Sequence, residues 1–295
     1  MKKDLYAEVT ARIVAQLESG AAPWVKPWAS TPGRNQPHNA ITGRRYSGVN
    51  VVMLWMAMNR PGFTVPAFAT FKQVQAAGGQ VRKDEHGTKV YFVKPLESKT
   101  KFKSNGKPET FMMLREFTVF NIAQCDGLPE SIVNPAITGP RNEDSRDATI
   151  EEFLQATGAD ITESGDRAFY SPAEDRIVIP AFQCFKGASA YYGTMFHELA
   201  HWTGSKGRCD RDFSGRFGDA KYAAEELVAE LTSAYLAAEF NTDGQMQSAE
   251  YIAVWIRLLK DDSRAFFTAA SKAQAAADYL RGLALAEAPA EAAAA

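Results

Sequence analysis

The spacing of apolar residues at the start of the chain predicts an amphipathic helix. Within residues 1–20 the apolar side chains recur every four positions, with charged side chains between them. They are Leu5, Val9, Ile13 and Leu17. Residues 49–59 are apolar almost throughout and predict a buried helix that ends before Pro61. Thr70 suits the N-cap of a shorter helix over residues 70–77.

Two strand-like segments follow and predict a long β-hairpin. Residues 89–93 and 111–120 have the composition of strands, and Asn105-Gly106 between them is a strong signal for a tight turn. The arm and tip of this hairpin are basic, with one aromatic residue among the lysines. These residues are Lys94, Lys99, Lys101, Phe102, Lys103 and Lys107.

The second half of the chain predicts a mainly helical unit. Residues 167–170 and 176–180 predict two short strands around a turn. Helical segments are predicted at residues 148–157, 187–203, 220–240, 247–260 and 262–281.

Composition divides the chain into two domains. Residues 129–147 are rich in Pro, Gly, Asp and Asn, which predicts a linker between a domain at 1–128 and a domain at 148–285. The alanine-rich residues 286–295 predict a disordered tail.

The distribution of charge also separates the two halves. Residues 1–125 carry 18 Lys and Arg against 8 Asp and Glu, a surplus of 10 positive charges. Residues 126–295 carry 15 against 27, a surplus of 12 negative charges. A basic half favours a polyanionic partner, most often nucleic acid, although a solvated basic surface without a specific partner is the alternative.

Cysteine usage and hydropathy indicate a cytoplasmic protein. The three cysteines, Cys125, Cys184 and Cys209, form no CxxC pair, which argues against a disulfide framework or a cysteine-based zinc site. No run approaches the ~18 apolar residues of a membrane span, and the start of the chain does not resemble a signal peptide. We expect no membrane partner, and the sequence indicates no oligomeric state.

The motif His197-Glu198-Leu199-Ala200-His201 predicts a metal site. On a helix, two histidines four residues apart lie about 40° apart on one face, so both imidazoles can bind one ion. Glu198 then reaches the water at the open coordination position and serves as the general base. The expected ion is Zn²⁺, with Mn²⁺ or Co²⁺ as alternatives.

A catalytic site of this kind needs a third protein ligand, and residues 224–231 offer three carboxylates. Glu226 and Glu230 lie at the edge of the apolar stripe of the predicted helix, one turn apart. Glu226 is the predicted third ligand. Glu230 is expected to accept a hydrogen bond from a ligand histidine, with an ordinary ion pair as the alternative. Glu225 points away from the stripe and is expected to be a solvated surface charge.

This plan matches a minimal zincin, in which an edge strand aligns an extended peptide by strand addition. Residues 167–180 are the expected source of that strand. Tyr222 or Tyr235 could steady the oxyanion, although both are expected to be packing residues.

Aromatic residues beside cations in the basic half predict single-stranded DNA binding, because bases stack on rings while lysines contact phosphates. The residues expected to bind DNA are Trp24, Lys26, Trp28, Arg44, Arg45, Tyr46, Lys99, Lys101, Phe102, Lys103 and Lys107. Alternatively, the tryptophans pin a loop and the hairpin is a soluble flap. The other aromatic residues, Trp55 and most of Phe63, Phe68, Phe71, Phe117 and Phe120, are expected in the core.

Several segments together resemble the ArdC antirestriction family. They are residues 39–50, which follow N-x-x-T-G-x-x-Y-x-G-x-N, then 71–74, 79–83, 85–87 and 120–124, and in the second half 197–204 and 225–230. Asp84 stands where the family often has glycine, which affects only the shape of that turn.

The resemblance implies a protein of conjugative plasmids and similar mobile elements that protects incoming DNA from host restriction endonucleases. It implies an N-terminal domain that binds single-stranded DNA and a C-terminal zinc domain related to SprT-type proteases. The expected fold class is therefore α+β, with an N-terminal α+β DNA-binding domain that carries a long basic hairpin and a mainly helical minimal-zincin metallopeptidase domain.

Three hypotheses remain open at the level of sequence. The chain binds single-stranded DNA, with double-stranded DNA as a further partner, and the zinc domain is a peptidase or a scaffold. Alternatively, it is a zinc endopeptidase that acts on DNA-bound proteins, and protection depends on proteolysis. The third hypothesis is a binding protein with a structural metal, against which Glu198 argues because a structural site needs no base.

Overall fold

The computed structural model describes residues 4–25, 35–102, 107–133, 142–215, 219–242 and 249–287. Within them the helices are α1 (Leu5–Glu18), α2 (Val49–Met58), α3 (Phe71–Ala76), α4 (Glu130–Val133), α5 (Ala148–Ala156), α6 (Ala188–Thr203), α7 (Ala220–Glu239), α8 (Ile252–Asp261) and α9 (Ala265–Glu287). The strands are β1 (His38–Asn39), β2 (Ala67–Ala69), β3 (Gln80–Val81), β4 (Thr88–Phe102), β5 (Pro108–Asn121), β6 (Cys125–Asp126), β7 (Asp160–Glu163), β8 (Phe169–Ser171) and β9 (Arg176–Ile179).

The chain divides into two compact units. The first comprises Met1–Glu8 and Pro37–Pro135, and the second comprises Val9–Gln36 and Ala136–Ala295. The expected α+β fold with two domains and a mainly helical second one is confirmed. Among the residues that the structure describes, no helix is both long enough and apolar enough to cross a lipid bilayer.

The first unit is built on a sheet with the strand order β1-β2-β5-β4. The predicted hairpin is β4 and β5, which pair antiparallel from Thr88↔Val119 outward. β4 is at one edge of this sheet, and the side chain of Asn50 in α2 pairs with part of that edge. The Asn50 amide nitrogen donates to the Tyr91 carbonyl at 2.7 Å, and the Asn50 side-chain oxygen accepts from the Tyr91 backbone N–H at 2.6 Å. This pairing fixes the buried helix α2 against the base of the hairpin.

Polar side chains brace the base of the hairpin. The side chain of Gln124 accepts from the Asn121 backbone N–H at 2.9 Å and donates to Glu85 at 2.8 Å. A Cβ on Gly87 would lie 2.4 Å from the Thr118 methyl group, so the close approach of the chains requires glycine there. Asp84 has a φ of 65°, the left-handed region that glycine favours and that Asp tolerates better than most residues. The departure at Asp84 therefore leaves this turn intact.

The second unit contains a three-stranded sheet with the order β7-β9-β8. β7 runs parallel to β9, β8 runs antiparallel to it, and β8 therefore lies at an edge. β8 and β9 correspond to the two predicted strands, whereas β7 was not predicted. The helices α6, α7 and α9 pack on one another around an apolar core.

The start of the chain differs from its predicted assignment to the basic domain. From Val9 onward α1 belongs to the second unit, where Thr10 donates to the Ser263 carbonyl at 2.7 Å. Val9, Ile13 and Leu17 of its apolar stripe are buried as predicted, but they belong to the second unit. The amphipathic period shows that α1 has an apolar face, and it carries no information about which core receives that face.

Part of the predicted linker is also ordered structure. Glu143 meets the N-terminus of α6, where its carboxylate accepts from the Ser189 backbone N–H at 2.8 Å and from the Ser189 hydroxyl at 2.7 Å. Residues 134–141 of the predicted linker and residues 288–295 of the predicted tail lie outside the described residues. The helix α9 continues to Glu287, beyond the predicted end at residue 281.

Candidate functional site

Helix α6 carries the predicted metal motif on one buried face. His197 and His201 are one turn apart, and their Nε2 atoms are 3.1 Å apart. The apolar residues Met195, Leu199 and Trp202 on the adjoining face are buried in the core, as the sequence pattern predicts. Packing of this stripe therefore fixes the rotation of α6 and turns both imidazoles toward α7.

Helix α7 brings Glu226 to the two histidines. One Glu226 oxygen lies 3.3 Å from His197 Nε2, and the other lies 3.7 Å from His201 Nε2. Tetrahedral ligands about 2.1 Å from a zinc ion lie about 3.4 Å from one another. The spacing and the chemistry of this donor set fit a divalent metal ion, because the three ligand atoms lie within 4.8 Å of one another. We refer to these three described residues as the metal-binding group.

The charges of the ligands are coupled. Burial alone would raise the pKa of Glu226, but hydrogen bonds with His197 and His201 outweigh it and hold that pKa well below its usual range. Burial opposes a proton on His201, yet hydrogen bonds with Glu225 and Glu226 raise the pKa of His201 to about 10. In the metal-free site these hydrogen bonds therefore favour the protonated form of His201 and the ionised form of Glu226.

Glu225 is the carboxylate behind His201, contrary to its expected role as a surface charge. It is 9% exposed, and its carboxylate lies 3.3 Å from His201 Nδ1. Arg211 holds the same carboxylate in a bidentate pair, with Nε 2.9 Å from one oxygen and Nη2 2.7 Å from the other. Arg211 also donates to the Ala200 carbonyl and the Thr203 hydroxyl of α6.

Glu225 does lie away from the apolar stripe of α7, as its helical phase predicts. That side of the helix is covered by protein and is not exposed to solvent. The segment after α6 folds back over this side of α7 and places Arg211 on Glu225. A Cβ on Gly204 would lie 2.9 Å from the Arg211 guanidinium and 2.3 Å from the Phe213 ring, so this return requires glycine at that position. No local pattern marks Arg211, because its partners are 8 to 14 residues away along the chain.

The structure does not place Glu230 behind a ligand histidine. His201 Nδ1 is taken by Glu225, and the buried Nδ1 of His197 has no hydrogen-bond partner among the described residues. Glu230 is buried in α7 one turn beyond Glu226.

An open cleft with a volume of about 370 Å³ leads to the metal-binding group. Glu198 lines it together with the two histidines, and the edge strand β8 also lines it through Phe169 and Tyr170. Residues of the predicted segment 167–180 therefore lie beside the site. Among the residues that the structure describes, β8 pairs with β9 alone, so its other side is an edge of the sheet.

Arg208 fastens this edge strand to the end of α6. Its guanidinium pairs with Asp175 in the turn after β8, donates to the Tyr170 hydroxyl at 3.1 Å, and donates through Nε to the Trp202 carbonyl at 2.6 Å. Its guanidinium also lies 4.1 Å from the centre of the Trp202 ring. Arg208 therefore links the edge strand to the helix that carries the two histidines, and no local sequence pattern marks this residue.

Tyr222 and Tyr235, the two candidates for steadying the oxyanion, lie in different surroundings. Tyr222 lines the cleft, where burial and the nearby charge of Glu226 raise its pKa. Tyr235 is completely buried in the core, and burial alone raises its pKa. Tyr222 is therefore placed to contact a bound substrate, and Tyr235 has the packing role expected for it.

Two aromatic residues of the predicted DNA surface, Trp24 and Tyr46, are buried. Trp24 is 2% exposed and packs on Trp255, with ring centres 5.5 Å apart, and on Phe266. Tyr46 is also buried, and burial raises the pKa of its hydroxyl despite a hydrogen bond with Asn39. A ring in a core has no free face on which a base can stack.

The remaining predicted DNA-binding residues fall into three groups. Arg44, Arg45, Lys101 and Lys107 are exposed on the first unit. Lys99 and Phe102 lie in β4, with their backbones alone described. Lys26, Trp28 and Lys103 lie outside the described residues.

Comparison with known proteins places two family models along the chain. The N-terminal domain of anti-restriction factor ArdC matches residues 3–120, and a zincin-like metallopeptidase matches residues 148–272. The solved structures of the antirestriction ArdC protein from the R388 plasmid are 40% identical in sequence. The metal-free form has a TM-score of 0.82 over 96% of this chain and 99% of that chain. The Mn(II)-bound form has a TM-score of 0.77 over 96% and 98%.

Two relatives with similar sequences differ in the fraction of their own length that aligns with this chain. The uncharacterized protein y4eC of Sinorhizobium fredii is 39% identical over 94% of this chain and 91% of its own length. The DNA primase TraC of Escherichia coli is 39% identical over 95% of this chain, but the match spans 20% of TraC.

Proposed function

The chain belongs to the ArdC antirestriction family, and we propose that it protects incoming DNA of a mobile element from host restriction endonucleases by binding single-stranded DNA. The first unit is the DNA-binding part and the second unit is a metal-dependent peptidase. The proposed ligands are His197, His201 and Glu226, and the proposed resident ion is zinc.

The observation that carries the peptidase part is the position of Glu198. Glu198 lines an open cleft together with the three proposed ligands and with Phe169 and Tyr170 of the edge strand β8. Structural zinc sites are usually closed by four protein ligands, whereas the donors grouped here among the described residues are three. A base beside an open position favours hydrolysis over a structural role.

The residues of the cleft divide the work of peptide hydrolysis. His197, His201 and Glu226 would hold a divalent ion, which would act as a Lewis acid and lower the pKa of a water molecule. The free side of β8 aligns an extended peptide through backbone hydrogen bonds. Glu198 accepts a proton from the attacking water at its carboxylate and later delivers it to the leaving amine. Glu225 orients His201 through Nδ1, and Arg211 orients Glu225.

The charge of the first half supports the DNA-binding part. Residues 1–125 have a surplus of 10 positive charges, and the cations Arg44, Arg45, Lys101 and Lys107 are exposed. Neutralised phosphates release counterions, so such a surface binds single strands with an affinity that falls as salt rises.

The second candidate function is protection through proteolysis of DNA-bound proteins, which the intact cleft favours. A transfer assay separates the two functions. An unmodified plasmid is delivered into restricting and non-restricting hosts that contain the wild type, Glu198→Gln, or the double variant Lys101→Glu/Lys107→Glu. The variant Lys206→Glu/Lys272→Glu, with the same charge change on exposed residues of the second unit, is the matched control.

If protection rests on DNA binding, the hairpin variant Lys101→Glu/Lys107→Glu should lose protection, whereas Glu198→Gln should keep protecting the plasmid. If protection rests on proteolysis, Glu198→Gln loses it while still binding metal and DNA. A hairpin variant that protects as well as its control would contradict a DNA-binding function for these cations.

A further inference from the structure

Two phenylalanines on the hairpin are exposed in a unit that buries most of its large apolar residues. Phe92 is 46% exposed and Phe117 is 47% exposed, and their ring centres are 5.5 Å apart at an interplanar angle of 74°. Phe117 was expected in the core. Its exposure shows that the core ends below this point of the hairpin, where Val90 and Val119 are buried.

The strand register places two cations on the same face as these rings. Residues directly opposite in an antiparallel pair share a face, and side chains alternate along each strand. Phe92 pairs with Arg115, Val90 pairs with Phe117, and Lys94 follows Phe92 by two residues. One face of the hairpin therefore presents Phe92, Phe117, Arg115 and Lys94, all exposed, and we name it the aromatic face.

The opposite face of the same hairpin has a different character. Val93 is exposed there, and Lys89 is 3.4 Å from Glu116 in an ion pair. The combination of exposed aromatic rings with cations therefore occurs on one face of the hairpin and not on the other.

We propose that the aromatic face is the surface on which the first unit stacks unpaired bases of single-stranded DNA, with Arg115 and Lys94 contacting the flanking phosphates. This inference rests on the DNA binding proposed above and names the side chains that perform it. The occupant follows from charge complementarity, because two cations flank the rings in a half of the chain with a surplus of 10 positive charges.

The chemistry of the rings selects the form of the DNA. A phenyl ring offers a π-face and no hydrogen-bonding group, so it accepts any base and reads no sequence. In a duplex both faces of a base are already stacked on its neighbours, so only unpaired bases can use the rings. The nearly perpendicular arrangement lets each ring serve a separate base.

The test uses the full chain and a fluorescein-labelled thymidine oligonucleotide of about 20 nucleotides. We expect Phe92→Ala/Phe117→Ala to weaken binding roughly 10- to 100-fold, with the salt dependence unchanged, because base stacking involves no counterion release. We expect Arg115→Ala/Lys94→Ala to weaken binding and to reduce the slope of log K against log salt by about 1.4, or about 0.7 per phosphate contact. Phe92→Trp/Phe117→Trp should retain the wild-type affinity.

Val93→Ala is the matched control, since it removes an equally exposed apolar side chain from the opposite face. Thermal melting of each variant checks that it is folded. If the wild type fails to bind the oligonucleotide, the proposed DNA-binding function itself is wrong. If the wild type binds and the phenylalanine variant binds as tightly as Val93→Ala, the aromatic face is not the site. A change in oligomeric state without a change in DNA affinity would make it a self-association surface and overturn the inference.

Discussion

The two units of the chain hold their functional side chains in opposite ways. In the second unit, the three proposed metal ligands are buried or half-buried and lie within 4.8 Å of one another, and hydrogen bonds with Glu225 and Arg211 support them. In the first unit, the groups proposed for DNA binding are exposed and lie along a hairpin and a loop. The first arrangement suits a single reacting point, and the second suits a long flexible polymer.

This difference determines how each unit should respond to mutation. A buried cluster fails as a whole, because removal of one partner leaves another charge desolvated and unpaired. An exposed surface loses one contact at a time, because water and salt replace each lost partner. Four predictions test this contrast.

The largest effect is expected for Glu198→Gln. The substitution keeps the size of the side chain and removes the base, so peptide hydrolysis by the metal-loaded protein should fall about 10²- to 10⁴-fold. Turnover of a fluorogenic peptide measures this, and elemental analysis checks that the metal is still bound. Wild-type turnover in the variant would exclude Glu198 as the general base.

The next effect is expected for Arg211→Met. Glu225 would stay buried without its bidentate partner, which should lower the free energy of unfolding by about 3–5 kcal/mol. His201 would lose its fixed orientation, so metal affinity should fall about 10- to 100-fold. Chemical denaturation and chelator competition measure the two effects. The matched variant Arg211→Met/Glu225→Leu should recover stability and not metal affinity, and unchanged metal affinity in both variants would contradict the positioning role.

The affinity for the metal ion is expected to change about tenfold for each pH unit. The pKa of His201 is raised to about 10 without metal, so at neutral pH the metal displaces one proton and its affinity falls as the pH is lowered. The free energy of unfolding of the metal-free protein changes with pH in the opposite direction, because it decreases as the pH rises. The raised pKa stabilises the fold below the ordinary histidine value of 6.5, and this contribution is lost as the pH rises through 10. Calorimetry in buffers of different ionisation enthalpy should show about one proton released, and zero release would contradict the coupling.

The smallest effect is expected for a single cation of the hairpin. Lys107→Ala should weaken single-stranded DNA binding only about two- to threefold and reduce the salt slope by about 0.7, because one phosphate contact among several is lost. Binding isotherms at several salt concentrations measure both quantities, with Lys206→Ala in the second unit as the control. A loss of more than a hundredfold would mean that the first unit also depends on a single critical side chain.

Local periodicity made much of this structure predictable. The four-residue spacing of His197 and His201 holds on any helix, so the pair could be recognised without knowledge of the fold. Glu226 followed from its position at the edge of the apolar stripe of α7, and the long hairpin followed from strand-like composition around Asn105-Gly106. Each of these features depends on neighbours within a few residues.

Features that depend on distant contacts could not be predicted in the same way. Glu225 has the phase of a surface residue, and it is buried because a returning segment places Arg211 over it. Trp24 and Phe117 are both aromatic residues in a basic half, yet one is in a core and the other is exposed. Hydrophobicity gives each ring the same tendency toward burial, and only the extent of the core decides which ring is covered.

The sequence by itself determined the candidate groups of this protein, namely two imidazoles and a carboxylate at helical spacing on one helix and further carboxylates on a later one, in a chain with one basic and one acidic half. The tertiary structure decided which carboxylate supports His201, where the edge strand β8 lies beside the cleft, and which aromatic side chains remain exposed. The reason is physical: periodicity fixes the direction of a side chain from its own element, whereas its surroundings are supplied by residues far along the chain.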